Sequence, residues 1–331
     1  QIEVIGEAEN GKVAIELTKR LKPDIITMDI QMPEMDGFES TEYIMAYHPT
    51  PIIIFSSAID KTEAYSSIKA IALGALDVIQ KPDITDDKFK EISELILSKV
   101  KSLSQIKVIS HIRGKRKKRL EETPTDLPES PKTGLKQIES GSGSTYKLLG
   151  IGSSTGGPYA LETFLTEFPD SFSLPIVVVQ HICDGFIDSL VELLDDRISM
   201  TVKIAENGEK LNRGTVYFAP NNVQLLIDRE ERILLDSHLP RWGVFKPSIN
   251  YLFNTMADVY RDKGIGVILT GMGNDGAEGL MKMRESGAVT IAQDQESSLI
   301  FGMPKAAIDL GAAKYVIPLQ EIANQIKLIS G

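Results

Sequence analysis

Cysteine is nearly missing from this chain of 331 residues: Cys183 stands alone. A lone thiol rules out an internal disulfide and with it a disulfide-stapled secreted scaffold, so a reducing cytoplasm is the expected setting. No run of about 18 apolar residues occurs, and neither membrane insertion nor a spanning helix is expected. The opening residues lack a basic n-region followed by an apolar h-region, so no signal peptide is read there. Positive charge is short as well. Lys and Arg number 36 against 46 Asp and Glu, a formal net charge of −10, which argues against nonspecific nucleic-acid binding by the whole chain. Histidine is scarce, with only His48, His111, His181 and His238 available as bases. What remains, 42% hydrophobic and 25% charged residues, is the composition of a globular protein, and the length suggests two domains.

The first half alternates short apolar runs with amphipathic stretches. Strands are expected at Ile2–Gly6, Asp24–Asp29, Pro51–Ser56 and Asp77–Gln80. Helices are expected at Gly11–Leu21, through about Tyr47, up to Leu73, and from about Lys88 to Leu103. Such alternation implies a doubly wound parallel sheet. Residues 104–146 change character, with the basic cluster Gly114-Lys-Arg-Lys-Lys-Arg119, then Pro124, Pro128 and Pro131, then Ser140-Gly-Ser-Gly-Ser-Thr145. A stretch this polar cannot bury enough apolar surface to order itself and reads as a flexible linker. The α/β rhythm resumes at Tyr146 and runs to Leu328. The expected domains are therefore 1–103, with a linker at 104–146, and 147–331.

Three strand ends of the second half carry polar residues. Lys147-Leu-Leu-Gly-Ile-Gly-Ser-Ser-Thr-Gly-Gly-Pro158 runs a strand into a turn, with Pro158 placed to open a helix. Ile176-Val-Val-Val-Gln-His181 and Gly266-Val-Ile-Leu-Thr-Gly-Met-Gly-Asn-Asp275 are the others. In an open parallel sheet all carboxyl ends lie on one edge, where ligands bind. A hydroxyl, an imidazole and a carboxylate meeting there are the parts of an acyl-transfer site. Serine is a poor nucleophile without an adjacent base, and among the four histidines only His181 follows a second-half strand, one βα unit after Ser154. Asp275 would accept a hydrogen bond from its ring and fix the tautomer. Each residue alone has a plainer reading: a strand-end histidine satisfied by backbone, or an Asn-Asp-Gly turn. The order Ser, His, Asp matches none of the familiar hydrolase orders, but triads are defined by role. Two rivals stand beside this reading. Gly150, Gly152, Gly156 and Gly157 suggest a phosphate cradle, although the spacing is not Gly-x-Gly-x-x-Gly. Cys183 is a second candidate nucleophile, better read as a small buried hydrophobe.

Taken together these motifs resemble one family over nearly the whole chain, the chemotaxis response regulator protein-glutamate methylesterases (CheB). The first half resembles a receiver. Asp29, ending a strand before Met32-Pro-Glu-Met-Asp-Gly37, matches the phosphoacceptor. Ser56 matches the switch hydroxyl, and Lys81-Pro82 matches the lysine that pairs with the phosphoryl group. In the second half Ser154 matches the nucleophile, Gln180-His181 the base and Gly-Met-Gly-Asn-Asp-Gly the acid Asp275, with the backbone N–H of Met272 at the oxyanion. Phe301-Gly-Met-Pro304 and Lys246-Pro-Ser248 resemble family segments near the site, while Ser153 stands where a small residue such as Ala is expected. The resemblance implies a flavodoxin-like receiver followed by an α/β parallel-sheet esterase domain. It implies a Ser-His-Asp esterase needing no cofactor, acting on γ-glutamyl methyl esters of chemoreceptors and on glutamine side chains. It also implies a receiver that covers the catalytic edge until the histidine kinase CheA phosphorylates Asp29 with Mg²⁺. A non-enzymatic response regulator with a C-terminal interaction domain is the alternative. Aligned to a receiver, Gln1 falls in the second strand, so the first strand and its acidic metal ligands, which would join Asp29, are expected to lie outside this sequence.

Overall fold

In the computed structural model, residues 2–57, 61–81, 89–106, 108, 146–243 and 245–330 are described, in two units, Gln1–Leu135 and Lys136–Gly331. Pro82, the basic cluster and nearly all of the expected linker lie outside the described residues.

In the first unit, α1 (Gly11–Leu21) begins where the Asn10 side chain accepts the Val13 N–H. Asp36 caps α2 (Gly37–Tyr47) in the same way, through the Glu39 N–H. Such caps satisfy amides left over by the first helical turn. Strands β1 (Ile26–Asp29), β2 (Ile52–Ser56) and β3 (Asp77–Gln80) pair in parallel in that order, with α3 (Lys61–Ala72) and α4 (Phe89–Leu103) completing the alternation. The central β2 reads Ile-Ile-Ile because it is covered on both faces, and all three are fully buried. The expected strand at Ile2–Gly6 does not form. A strand needs a neighbour for its amides, and these residues do not pair with β1. A cavity of about 1100 Å³, bordered by Val4, Ile5, Leu17, Ile26 and Met28, separates them.

The second unit is built on β4 (Leu148–Ser153), α5 (Gly157–Leu165), β5 (Ile176–Gln180), α6 (Ile187–Asp195), β6 (Thr201–Ile204) and β7 (Thr215–Phe218). A hairpin follows, β8 (Gln224–Ile227) and β9 (Ile233–Asp236). Then come α7 (Ile249–Tyr260), β10 (Gly264–Ile268), α8 (Ala277–Glu285), β11 (Val289–Gln293), α9 (Met303–Asp309), β12 (Tyr315–Ile317) and α10 (Leu319–Ser330). Seven strands form one sheet, β12-β11-β10-β4-β5-β7-β6, parallel throughout, while β8 and β9 pair antiparallel. The chain leaves β4 toward β5 on one side and returns through β10 on the other. The carboxyl ends of β4, β5 and β10 thus border the switch point where doubly wound sheets bind ligands. Helix α7 packs directly on β4. A Cβ at Gly152 would sit 2.5 Å from Ile249 Cγ2, and one at Gly150 would sit 2.4 Å from Met256 Sδ. The glycines of β4 therefore serve this close approach of helix to strand, which fixes where the N-terminus of α7 lies.

Candidate active site

In the parallel pairing of β4 and β5, Ser153 lies opposite Gln180. Ser154 and His181, each one residue further on, therefore leave adjacent strand ends whose backbones are roughly 5 Å apart. The His181 N–H bonds back to Ser153 O at 2.9 Å, and the Ser154 N–H to Thr270 O at 3.1 Å, beyond the end of β10. The three strand ends are thus stitched together by their own backbone.

Gln180 locks this corner from inside. Its Nε2 donates to Ser154 O (2.9 Å) and His181 O (2.8 Å), and its Oε1 accepts the Ser153 hydroxyl at 2.6 Å. Ser153 is wholly buried with its hydroxyl used in this way, whereas the Ser154 hydroxyl has no such tie among the described residues. Gly157, at the start of α5, leaves room for the Gln180 amide; a Cβ there would fall 1.9 Å from Gln180 Oε1.

Asp275 is the most heavily bonded side chain of the site. Its Oδ1 accepts from Ser248 Oγ (2.7 Å), the Asn250 N–H (3.2 Å) and the Gly276 N–H (3.0 Å). Its Oδ2 accepts from the Ile249 N–H (2.8 Å) and bonds His181 Nε2 at 2.9 Å. Ser248 caps α7, so the carboxylate occupies that helix N-terminus, where amide donors and the positive dipole end favour an anion. Burial, with 1% of the side chain exposed, pushes its pKa up, but the His181 and Ser248 hydrogen bonds, the His181 charge and the Ile249 N–H outweigh it and hold the group below the usual carboxylate range. An ionised Asp275 only accepts, so Nε2 carries the imidazole proton and the lone pair falls on Nδ1. Among the described residues, His181 Nδ1 is buried without a hydrogen-bond partner. The ring lies flat against Phe245, with centroids 3.9 Å apart and planes within 7°.

Met272 belongs to a loop held against residues 300–303. Gly271 donates to Ile300 O at 3.1 Å and accepts from the Gly302 and Met303 N–H groups at 3.2 and 2.8 Å. Phe301-Gly-Met-Pro304 thus forms the wall behind Met272. Of the other histidines, His48 follows α2 in the first unit, His238 is exposed beyond β9, and His111 lies outside the described residues. Cys183 is partly buried two residues past His181, and its carbonyl accepts from Asn221 Nδ2 at 3.2 Å.

In the first unit, Asp29 and Lys81 meet across the sheet edge, Lys81 Nζ donating to Asp29 Oδ2 at 2.5 Å. The Ser56 hydroxyl is engaged elsewhere, donating to Glu63 Oε1 at 2.6 Å. Glu63 also accepts from the Ser57 N–H (2.8 Å) and from Gln31 Nε2 (3.2 Å). Burial raises the Glu63 pKa, but the Ser56 and Ser57 bonds and the Lys81 charge hold it below its ordinary value. Among the described residues no group of three or more His, Cys, Asp or Glu converges, so Asp29 and its neighbours do not by themselves make a Mg²⁺ site. No helix of the described residues is long and apolar enough to cross a membrane.

Sequence reasoning missed Phe245 and Glu63. Neither lies in a motif, and only the fold brings Phe245 over His181 or Glu63 under Ser56. Ser248 lies in a segment that resembles the family, but its bond to Asp275 has no sequence signal beyond a Ser that precedes an apolar helix.

Known proteins resemble this chain in both of its halves. The profile of the CheB methylesterase family matches residues 149–326, and that of the response regulator receiver domain matches residues 1–92. The protein-glutamate methylesterase/protein-glutamine glutaminase 1 of Syntrophus aciditrophicus is 39% identical over all of this chain and 92% of its own length. The enzyme of that name from Geobacillus kaustophilus is 38% identical, again over 100% of this chain and 92% of its own. Among solved structures, the CheB methylesterase catalytic domain of Thermotoga maritima superposes with a TM-score of 0.53 at 40% identity, covering 55% of this chain and 98% of that one.

Proposed function

Since this chain belongs to the CheB methylesterase family, we propose that it hydrolyses γ-methyl esters of glutamate side chains on chemoreceptors. By the same chemistry it converts glutamine side chains to glutamate. One observation carries this reading: His181 is tied through Nε2 to Asp275, leaving a buried Nδ1 without a partner among the described residues, at the strand end beside Ser154. A buried polar atom without a partner costs about 1–3 kcal/mol, and such an atom is expected where a proton is to be received.

Ser154 Oγ attacks the ester carbonyl carbon while His181 Nδ1 takes the hydroxyl proton. Asp275 keeps its bond to Nε2–H and balances the imidazolium that forms. The Met272 N–H faces the oxyanion, a donor of the kind worth about 3–4 kcal/mol in a comparable hydrolase. The imidazolium returns its proton to the methoxy oxygen, the C–O bond breaks and methanol leaves. Water, deprotonated by the same Nδ1, then cleaves the acyl-enzyme to free glutamate and restores Ser154. Ser153 takes no part, because its proton is committed to Gln180.

Residues 1–103 serve as receiver, 104–146 as tether and 147–331 as catalytic domain, in a cytoplasmic protein. Asp29 is the phosphoacceptor, with CheA as donor, and Lys81 remains beside the phosphoryl group. For Ser56 to act as switch, its hydroxyl must leave Glu63. Methanol release from membranes carrying methylated receptors tests the proposal directly. Release that depends on Ser154 is expected. No release from a folded protein would overturn it in favour of an interaction domain.

A further inference from the structure

Resting on the esterase reading, the structure assigns Phe245 as a positioning residue, one that holds the plane of the His181 imidazole while Nε2 stays on Asp275 and Nδ1 is left as the base. The ring is bonded at one atom only, Nε2, to Asp275 Oδ2. Its Nδ1 is buried and unsatisfied, a condition the ring could relieve by turning toward another donor or acceptor. One hydrogen bond at one ring atom leaves that turn open. The face of Phe245, 3.9 Å away and within 7° of parallel, closes it, because rotation about the side chain would drive the imidazole edge into the phenyl ring. Proton transfer strengthens the contact, since a cationic imidazolium is attracted to a π face more strongly than the neutral ring is.

The strap carrying Phe245 is itself fixed, as a positioning element must be. Trp242 and Phe245 exchange N–H to carbonyl bonds of 3.1 Å each, and Trp242 sets its edge on the Tyr251 ring of α7, with centroids 5.7 Å apart. Lys246 Nζ donates to Ser237 O (2.6 Å) and Leu239 O (2.8 Å). Asn222 joins the strap to the loop after β5, its N–H donating to Lys246 O at 3.2 Å and its Nδ2 to Asp184 Oδ2 at 2.9 Å. The loop that presents His181 and the strap that covers it therefore form one hydrogen-bonded piece.

The test compares Phe245→Leu with Phe245→Tyr. Misplacing a catalytic group by about 1 Å costs on the order of 100-fold. Phe245→Leu is accordingly expected to lose roughly 10- to 100-fold in kcat with KM nearly unchanged, and Phe245→Tyr to restore most of it. The His181 Nε2–H proton should give a sharp downfield NMR resonance in the unsubstituted protein and the Tyr variant, and a broadened one in the Leu variant. An unchanged kcat and resonance would overturn the assignment. So would a loss confined to KM, which would make Phe245 a substrate contact instead. Absence of methanol release from the unsubstituted protein would sink the esterase reading, while the resonance would still decide the role of Phe245. Phe245→Met replaces Phe245→Leu if the latter does not fold, and failure of both to fold would assign Phe245 to the core, against the proposal.

Discussion

Replacing Asp275 by Asn asks whether this carboxylate dictates the tautomer of His181. The carboxylate meets donors on both oxygens, Ser248 Oγ, Asn250 N–H and Gly276 N–H at Oδ1, and Ile249 N–H and His181 Nε2–H at Oδ2. An amide has only one acceptor oxygen, and the more crowded Oδ1 side will claim it. The amide nitrogen then faces Ile249 and His181. The Ile249 N–H loses its acceptor, which costs about 1–3 kcal/mol, and loss of the anion at the helix N-terminus costs up to about 2 kcal/mol. His181 Nε2 can stay bonded only by accepting, which moves the ring proton to Nδ1. A protonated Nδ1 cannot take the Ser154 proton. The same substitution in another Ser-His-Asp enzyme costs roughly 10⁴ in kcat, and a loss of about 10³ to 10⁴ is expected here.

Stability should fall by roughly 2–4 kcal/mol at neutral pH, a Tm drop of about 5–15 °C for a unit of this size. Its pH dependence follows from the direction of the Asp275 shift. A carboxylate whose folded pKa is depressed contributes stability that is fully present above its unfolded value, about 4, and lost as pH falls through the folded value. The gap in Tm between the unsubstituted protein and Asp275→Asn should therefore be widest above about pH 5 and narrow in stronger acid. Methanol release with thermal melts across that range measures both. A variant keeping more than a tenth of kcat, or a Tm gap independent of pH, would refute the reasoning.

Ser154→Ala should abolish turnover, a loss on the order of 10⁶, with little change in Tm. Ser153→Ala should keep most activity and lose about 1–3 kcal/mol of stability because Gln180 Oε1 is left unpaired; the reverse pattern in methanol release would exchange their roles. The double variant Ser154→Ala/His181→Ala should be little worse than either single one, since residues of one catalytic unit do not contribute additively, and multiplied losses would make His181 structural. Gly157→Ala should lower Tm, overpacking costing about 1–3 kcal/mol, and reduce kcat by displacing Gln180, whose Oε1 lies 1.9 Å from the added methyl. Unchanged kcat would mean that Gln180 does not hold Ser154 and His181 in place.

Much of the fold was legible because apolar runs and caps act locally. Gly11–Leu21 and Asp77–Gln80 appear with the expected bounds, and α4 starts one residue from where the apolar spacing put it. Ile2–Gly6 failed for a non-local reason, since an apolar run becomes a strand only where a neighbour takes its amides. At the site, Ser154, His181 and Asp275 were legible because a parallel sheet gathers strand ends whatever the loop lengths. Phe245 was not, because its place depends on how the segment after β9 folds back over β5, and a Phe in a polar connection looks like any other. Glu63 was hidden likewise, as an acid in the first turn of α3 that reads as an ordinary helix start until Ser56 is seen beneath it.

The glycines of β4 carry a further lesson about motifs. Gly150-x-Gly152 followed by a Gly-Gly turn suggested a phosphate cradle, and glycine is indeed required there by steric contact. The contact, however, is with α7, whose Ile249 and Met256 lie where Cβ atoms would be. The closeness of α7 to the strand sets the position of its first turn, and that turn supplies Ser248 Oγ and the Ile249 and Asn250 N–H groups to Asp275. A carboxylate so surrounded stays ionised despite its burial and fixes the proton of His181 on Nε2. The anion held at a helix N-terminus is the protein's own, at α7 and not at the start of α5 where the glycine turn leads, and through it the backbone geometry of β4 governs which imidazole nitrogen is left to act as base.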